Sequence, residues 1–435
     1  MNRKIDPSTV EGSIIVPASK SQTIRALLLA TFATGTSHII NPLHSKDTFS
    51  CLQACRTMGA AITEMKDQWD VTGIIQSDTS QKEDTPIIID TGNSGTTLYL
   101  GAGLAASLGR PVILTGDEQL RNRPIAPLAQ SLEDLGAHVS FDIPEELGLA
   151  PARRAGCPPL MIQGPLIGGE TTIECPTSQY LSSLLLAAPF AQADTKIIVP
   201  LLNERPYVEM TLAWLKEQGI PYAITPDDTF TVSGNHHYSP YSKVISGDFS
   251  SASFFLCAAA ITGSTLTLTG LDPHDTQGDK DIISCLEKMG CYASWDGDAV
   301  TISGPRDGLQ GELALDLNPI PDTLPILAAT SCFAVGMVRL EHVPQARIKE
   351  TDRIAVMCSE LTKLGADIEE MEDGLIIHGT GNLSGGTVLG HGDHRVIMAC
   401  AVAALACDNP VTIEGTDAVD ITCPGFFSML QSVMK

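Results

Sequence analysis

The sequence predicts an α/β protein of two domains, built from six repeats of about 70 residues, three to each domain. Three observations carry that prediction. First, a short polar cluster is followed at once by a helix of small and apolar residues, six times over. The clusters are Ser19-Lys20-Ser21, Asn93-Ser94-Gly95-Thr96, Thr177-Ser178-Gln179, Asp248-Phe249-Ser250-Ser251, Pro321-Asp322-Thr323 and Gly392-Asp393-His394-Arg395. They recur about every 71 to 84 residues, longer than the usual solenoid periods. Second, amphipathic helices that end in a glycine alternate with them: Leu52 to Gly59, Leu128 to Gly136, Leu212 to Gly219, Ile282 to Gly290 and Leu361 to Gly365. Third, 435 residues exceed one ordinary core.

Each element has a physical reason. A helix that is apolar all round must be covered on every side, so these helices should pack together at a domain centre. Sheets and the amphipathic helices then surround them. The closing glycines suit the left-handed C′ position of a helix. Short alternating segments after them, such as Ala61-Ile62-Thr63 and His138-Val139-Ser140-Phe141, read as strands. The last repeat is cut short, because an amphipathic helix starts at Phe426 and the chain stops at Lys435. The missing strand is expected from Ser13 to Val16. One domain is therefore expected over residues 20–244, the other over residues 1–19 plus 245–435. Crossings near Ser19 and Ile245 would form a hinge with a ligand cleft between the domains.

Composition removes several function classes. A net charge of −24 argues against nucleic acid, which needs a basic face. The stretch from Met1 to Val10 lacks a signal-peptide apolar run, and runs such as Leu181 to Ala191 are too short to span a bilayer. The twelve cysteines include no Cys-x-x-Cys pair and read as buried or free thiols of a reducing, cytoplasmic compartment.

Helix N-termini collect free N–H groups and a positive dipole end, so they attract anions. Lys20, Arg25, Arg121, Arg123, Arg205, Arg347, Lys349, Arg353 and Arg395 lie beside such starts or in turns, against the acidic average. Arg recognises phosphate and carboxylate in bidentate fashion; Lys supplies a point charge. Ser21, Asn93, Thr96, Thr177, Ser178 and Gln179 could hold a phosphate or a polyol, and equally serve as helix caps. Asp322 opens an apolar helix and Glu350 lies between Lys349 and Arg353, so each is a candidate proton acceptor, with a cap or a salt bridge as the plainer role. His394 suits a structural hydrogen bond as well as a ligand contact. No constellation has metal-ligand spacing. The sum points to a multiply anionic small molecule.

These strings resemble the 5-enolpyruvylshikimate-3-phosphate synthase family. The residues that carry the resemblance are Ala18-Ser19-Lys20-Ser21 with Arg25, Gly92-Asn93-Ser94-Gly95-Thr96, Arg123-Pro124-Ile125, Thr177-Ser178-Gln179, Gly247-Asp248 with Ser250-Ser251-Ala252, Gln277-Gly278-Asp279, Ile320-Pro321-Asp322, Lys349-Glu350-Thr351-Asp352-Arg353 and Asp393-His394-Arg395. They stand in the family's order and cover nearly the whole chain. The resemblance implies a two-domain inside-out α/β barrel fold and transfer of the enolpyruvyl group of phosphoenolpyruvate to shikimate 3-phosphate, with no metal and no cofactor. It implies that Lys20, Ser21, Arg25, Thr177, Ser178, Gln179, Tyr207, Asp322, Gln345 and Lys349 hold the shikimate phosphate. Lys20, Asn93, Gly95, Thr96, Arg123, Gln179, Glu350, Arg353, His394 and Arg395 would surround phosphoenolpyruvate. Lys20, Asp322 and Glu350 would be catalytic. Small anionic substrates are then the only partners expected, with no nucleic acid or membrane, and the chain is expected to be a monomer.

The chain also departs from that pattern. Ile421 stands where the family carries a Lys, Tyr99 where an Arg is usual, and Gln119 at the first basic position of the Arg-Pro turn. Glu204 occupies a phosphate-binding Ser position, and its charge would repel phosphate unless Arg205 neutralises it. Ile24 and Gln345 replace further polar residues, and Lys435 is a conceivable stand-in for the missing Lys. Two other readings therefore stay open. One is an enolpyruvyl transferase with another acceptor, such as UDP-N-acetylglucosamine, although the Gly-Ala-Lys-Asn opening of that relative is absent. The other is a paralogue that binds shikimate phosphate without turning it over.

Overall fold

The structure, a computed structural model, describes residues 1–74 and 85–435. The chain forms two compact units. One is contiguous, Lys20–Ile245; the other is split, Met1–Ser19 with Ser246–Lys435. Ile245 belongs to the contiguous unit, one residue beyond the expected boundary. Its N–H donates to the Ile40 carbonyl at 2.9 Å and its own carbonyl accepts from Asn41 Nδ2 at 2.9 Å.

Among the described residues the contiguous unit holds three four-stranded sheets. One sheet orders Ile87–Asp90, Val112–Thr115, Leu160–Gln163 and His138–Ser140; a second orders Gly169–Thr172, Thr195–Ile198, Thr229–Val232 and Tyr222–Ile224. In both, the first two strands are parallel and flank a helix, and the last two form an antiparallel hairpin after an amphipathic helix. The helices between the parallel strands, Gly95–Ala105 and Ser178–Ala187, are buried along nearly their whole length, as a helix of small apolar residues requires. In the third sheet, Thr36–Ile40 follows the buried helix Lys20–Thr31, and its parallel partner is Ser242–Val244 from the far end of the unit.

The split unit repeats this arrangement. Phe249–Ile261, Leu324–Ser331 and His394–Ala403 are its buried helices, and all three pack on one another. Its parallel pairs include Glu11–Ile15 with Thr265–Thr269, Leu313–Asp316 with Ala334–Glu341, and Gly386–Leu389 with Val411–Glu414. The N-terminal segment therefore enters twice. The strand that completes the last sheet is Asn2–Ile5, antiparallel to Val411–Glu414. The Ser13 to Val16 stretch, expected in that place, instead lies in or just beyond the strand beside Thr265–Thr269. The apolar residues of Ser13 to Val16 mark a strand, but they do not name its partner.

Local signals match their elements closely. The five glycines expected to close amphipathic helices all have positive φ, from 70° at Gly219 to 113° at Gly59. All twelve cysteines are free and eleven are buried. Among the described residues no helix is long and apolar enough to cross a membrane.

One buried carboxylate ties the split unit together. Glu360, on the helix Arg353–Lys363, accepts from Lys363 Nζ at 2.7 Å, His391 Nε2 at 2.6 Å and the Leu389 N–H at 2.9 Å. Burial pushes its carboxyl up, but those donors outweigh burial and hold it below its ordinary 4.5. A depressed folded-state pKa adds stability above the unfolded value, and that stability is lost as pH falls through the folded value. Glu360→Gln should therefore destabilise the unit by about 1–3 kcal/mol at neutral pH. Urea midpoints should show the gap to the unaltered protein closing as the solution is acidified; a gap that widens in acid would contradict the assignment.

Candidate active site

The polar residues predicted from sequence gather at the N-terminal ends of the buried helices. In the contiguous unit, Lys20 opens the helix Lys20–Thr31 and its Nζ lies 3.5 Å from Asp47 Oδ2, both side chains largely covered. Ser21 follows, and its carbonyl accepts from Arg25 Nη1 at 3.2 Å. Arg25 also donates to Thr211 Oγ1 and to the Tyr207 carbonyl, each at 3.0 Å. All three partners are neutral oxygens around a guanidinium that is only 2% exposed. Burial lowers Arg25 to about 10, with Tyr207 acting in the opposite sense. A buried cation held by neutral groups is poised to gain from an anion.

The second cluster surrounds the helix Gly95–Ala105. Ser94 caps it, accepting from the Thr97 N–H. Thr96 is half-buried in its first turn. Arg123 lies directly against Gly95, since a Cβ built there would meet Arg123 Nη1 at 2.2 Å. Only glycine lets the guanidinium settle so close to that helix end. Asn93 Nδ2 donates to Asp117 Oδ2 at 2.7 Å and to Gln119 Oε1 at 2.8 Å. Tyr99 and Tyr180 pack edge to face at 5.4 Å and both hydroxyls donate to the Pro124 carbonyl, at 3.0 and 2.7 Å. Tyr99 thus braces the Arg123-Pro124 turn from behind rather than supplying a charge.

The third cluster holds an anion of the chain's own. Thr177 caps the helix Ser178–Ala187, its Oγ1 accepting from the Gln179 N–H at 3.4 Å and from Gln179 Nε2 at 3.2 Å. Thr177 Oγ1, the Ser178 N–H and Ser178 Oγ all donate to Glu204 Oε2, at 3.2, 3.1 and 2.8 Å. The neighbouring Arg205 turns instead to Asp228. The neutralisation by Arg205 that would spare a phosphate from the Glu204 charge is therefore not made, because Asp228 takes that guanidinium. Tyr207 lies in the first turn of Arg205–Glu217, where its carbonyl meets Arg25.

In the split unit one guanidinium organises the site. Arg353 is 1% exposed and donates Nε to Asp393 Oδ2 at 2.9 Å, Nη1 to Asp322 Oδ1 at 2.9 Å and Nη2 to Glu350 Oε2 at 2.5 Å. Asp322, in the turn Pro321–Thr323, offers its other oxygen to Arg395 Nη2 at 2.8 Å. Arg395 Nη2 also reaches Ser250 Oγ at 3.2 Å, and Ser250 in turn donates to Asp279. Asp393 caps its helix through the Arg395 N–H at 2.9 Å and accepts from Thr351 Oγ1 at 3.0 Å. Burial raises Asp393, but Arg353 outweighs it and the carboxyl stays below its ordinary value. The adjacent His394 is buried and lowered to about 3, by burial first, with Glu350 and Asp393 opposing. It is a neutral imidazole at physiological pH, and neither ring nitrogen has a partner among the described residues. Gln345 is buried, donating Nε2 to the Asn318 carbonyl at 3.2 Å, while Lys349 is half-buried just past the short helix Pro344–Ile348.

The structure thus brings Asp322, Glu350, Arg353 and Arg395 into one network. His394 lies beside it, and Lys20, Ser21 and Arg25 form another group with Tyr207. Besides Arg205, two cations singled out from sequence lie elsewhere. Arg347 is spent on Asp352 and Glu370, at 2.7 and 2.9 Å, and Lys435 pairs with Glu11 at 3.3 Å on the surface. Lys435 is therefore no stand-in for the Lys absent at Ile421. Sequence reasoning missed Asp47 and Asp393 as partners. Asp393 stands inside the Asp-His-Arg string and could have been found there; Asp47 carries no comparable signal. Among the described residues no group of three or more His, Cys, Asp or Glu side chains is placed to hold a metal ion.

Comparison with known proteins gives a consistent result. The family model described as EPSP synthase (3-phosphoshikimate 1-carboxyvinyltransferase) matches residues 5–430. A Ruminiclostridium cellulolyticum protein named 3-phosphoshikimate 1-carboxyvinyltransferase is 43% identical over 429 residues, spanning 99% of this chain and 97% of its own. One from Acetivibrio thermocellus with the same name is 44% identical over 427 residues, spanning 98% and 97%. A solved structure of EPSP synthase from Acinetobacter baumannii superposes with a TM-score of 0.80 at 27% identity, covering 100% of this chain and 98% of that one.

Proposed function

We propose, on the premise that this chain belongs to the EPSP synthase family, that it transfers the enolpyruvyl group of phosphoenolpyruvate to the 5-hydroxyl of shikimate 3-phosphate and releases phosphate. That is a step of the shikimate pathway to aromatic amino acids. The observation that carries the proposal is the match over residues 5–430, together with relatives above 40% identity that bear this name along their whole length.

The chemistry asks for groups this chain possesses. Both substrates are polyanions, so bringing them together needs fixed cations and exclusion of water. Lys20, Ser21, Arg25, Thr177, Ser178, Gln179, Tyr207, Asp322, Gln345 and Lys349 are assigned to shikimate 3-phosphate. Lys20, Asn93, Gly95, Thr96, Arg123, Gln179, Glu350, Arg353, His394 and Arg395 are assigned to phosphoenolpyruvate. Asp322 takes the 5-hydroxyl proton as that oxygen bonds to C2 of phosphoenolpyruvate, while Glu350 and Lys20 deliver a proton to C3. The tetrahedral adduct then loses phosphate from C2 and a proton from C3, restoring the double bond. No metal ion or cofactor enters the balance. Both units supply groups to this reaction under the assignment, and the chain is taken to act as a cytoplasmic monomer. Among the described residues, six sheets that each contain a parallel pair, together with six buried helices, support six repeats arranged as two inside-out α/β barrels.

Lys20→Met tests the assignment. Phosphate release from shikimate 3-phosphate plus phosphoenolpyruvate should vanish while the thermal midpoint stays near that of the unaltered protein. Undiminished release would remove Lys20 from the mechanism. Release by the unaltered protein only with UDP-N-acetylglucosamine would point to the other acceptor. Binding of shikimate 3-phosphate without release would point to a non-catalytic paralogue.

A further inference from the structure

We propose that Glu204 is a built-in competitor for the acceptor's phosphate, a specificity-determining residue that sets how tightly shikimate 3-phosphate binds. This rests on the assignment of Thr177 and Ser178 to that phosphate made above. One oxygen of the Glu204 carboxylate collects three donors at the head of the helix Ser178–Ala187: Thr177 Oγ1, Ser178 Oγ and the Ser178 N–H. Two hydroxyls and a backbone N–H at a helix start are also what a phosphoryl oxygen accepts from. The same donors cannot serve a carboxylate and a phosphate at once, and the two anions repel each other.

Capping alone does not explain the arrangement. Thr177 already accepts from the Gln179 N–H, so the helix has a cap from its own N-cap residue. Glu204 is brought in from a separate segment. The Cys175 N–H donates to the Leu201 carbonyl and the Asn203 N–H to the Cys175 carbonyl, so the two segments run side by side and deliver Glu204 to the helix start. Glu204 holds φ 57°, a left-handed conformation that a non-glycine residue adopts at a cost. Its carboxylate is 2% exposed as a residue and offers no bond to cap its own helix, Arg205–Glu217. A strained residue that spends its side chain on another helix's donors acts there. Binding of the phosphorylated acceptor then requires Glu204 to swing out, and the acceptor's affinity is reduced by that displacement.

The test uses Glu204→Gln and Glu204→Ser in the full chain. Gln keeps an acceptor oxygen at the same reach without the charge, so it preserves any structural contact. The KM for shikimate 3-phosphate should fall by about tenfold or more in both, with little change in the KM for phosphoenolpyruvate. Calorimetric titration with shikimate 3-phosphate alone should show the same gain. An acceptor KM that is unmoved or raised in both variants overturns the proposal, as does a lowered thermal midpoint in Gln with no gain in binding. If none of the three proteins releases phosphate yet the calorimetric gain appears, the transfer activity fails and the role of Glu204 stands. Release with an unmoved acceptor KM has the reverse meaning.

Discussion

Arg353→Met is expected to cost about 3–5 kcal/mol of stability, because it strands buried carboxylates without their cation. Arg353 pairs with Asp322, Glu350 and Asp393, and Asp393 is fully covered. The carboxylates draw Arg353 above its ordinary value in spite of burial, and Arg353 holds Asp393 below its own. The sign of the pH dependence follows. Asp393's depressed pKa contributes stability above its ordinary 3.8, and that contribution is lost as pH falls through the folded value. Removing Arg353 removes the depression, so the deficit of the variant should be largest near neutral pH and shrink in acid. For a unit of this size each kcal/mol moves a melting midpoint by about 2–4 °C, so a drop of roughly 6–20 °C is expected in the transition that reports the split unit. Arg353→Lys should fall between, since an ammonium keeps the charge but not the fork that engages three partners. A melting midpoint unchanged in the Met variant would mean that the three carboxylates find other compensation.

Asp322→Asn should lower kcat by about 10²–10⁴-fold, the usual worth of a positioned general base. The two oxygens of Asp322 accept from different guanidiniums, Arg353 and Arg395. An amide can satisfy one of them and must turn N–H groups on the other. The substitution therefore removes the proton acceptor and also loosens Arg395, which reaches Ser250 Oγ at 3.2 Å and the Asp322 carbonyl at 3.4 Å as well. Stopped-flow phosphate release followed across a range of phosphoenolpyruvate concentrations separates the two effects: loss of the base lowers kcat, while a displaced Arg395 raises the KM for phosphoenolpyruvate. A kcat within a few-fold of the unaltered protein would assign the proton to another group.

The buried helices were legible in the sequence because an unbroken apolar run follows a polar cluster at each start, and at four of the six that cluster supplies a hydrogen-bonding cap. Ser94, Thr177, Asp248 and Asp393 all cap through their side chains. The family strings located Arg353 and Asp322, and their meeting at 2.9 Å follows from two short motifs 31 residues apart. What stayed hidden depends on distant partners. Arg205 and Arg347 look like Arg123 in sequence, yet Asp228, Asp352 and Glu370 claim them. Glu204 was legible as a misplaced charge beside a phosphate position. Its seat on Thr177 and Ser178 was not, because it depends on the backbone pairing of Cys175 with Leu201 and Asn203. The placement of Ser13 to Val16 in the last sheet failed for the same reason: a stretch of four residues carries too few side chains to choose its neighbour.

The two strands near the N-terminus set an order of assembly during synthesis. Everything the Lys20–Ile245 unit pairs with emerges from the ribosome in one continuous stretch. By contrast, Asn2–Ile5 waits for Val411–Glu414, made some 400 residues later, and until then both edges stay open to wrong partners. Those early residues are thus among the last to find their place, and a ribosome that stalls late leaves one half finished and the other unable to close.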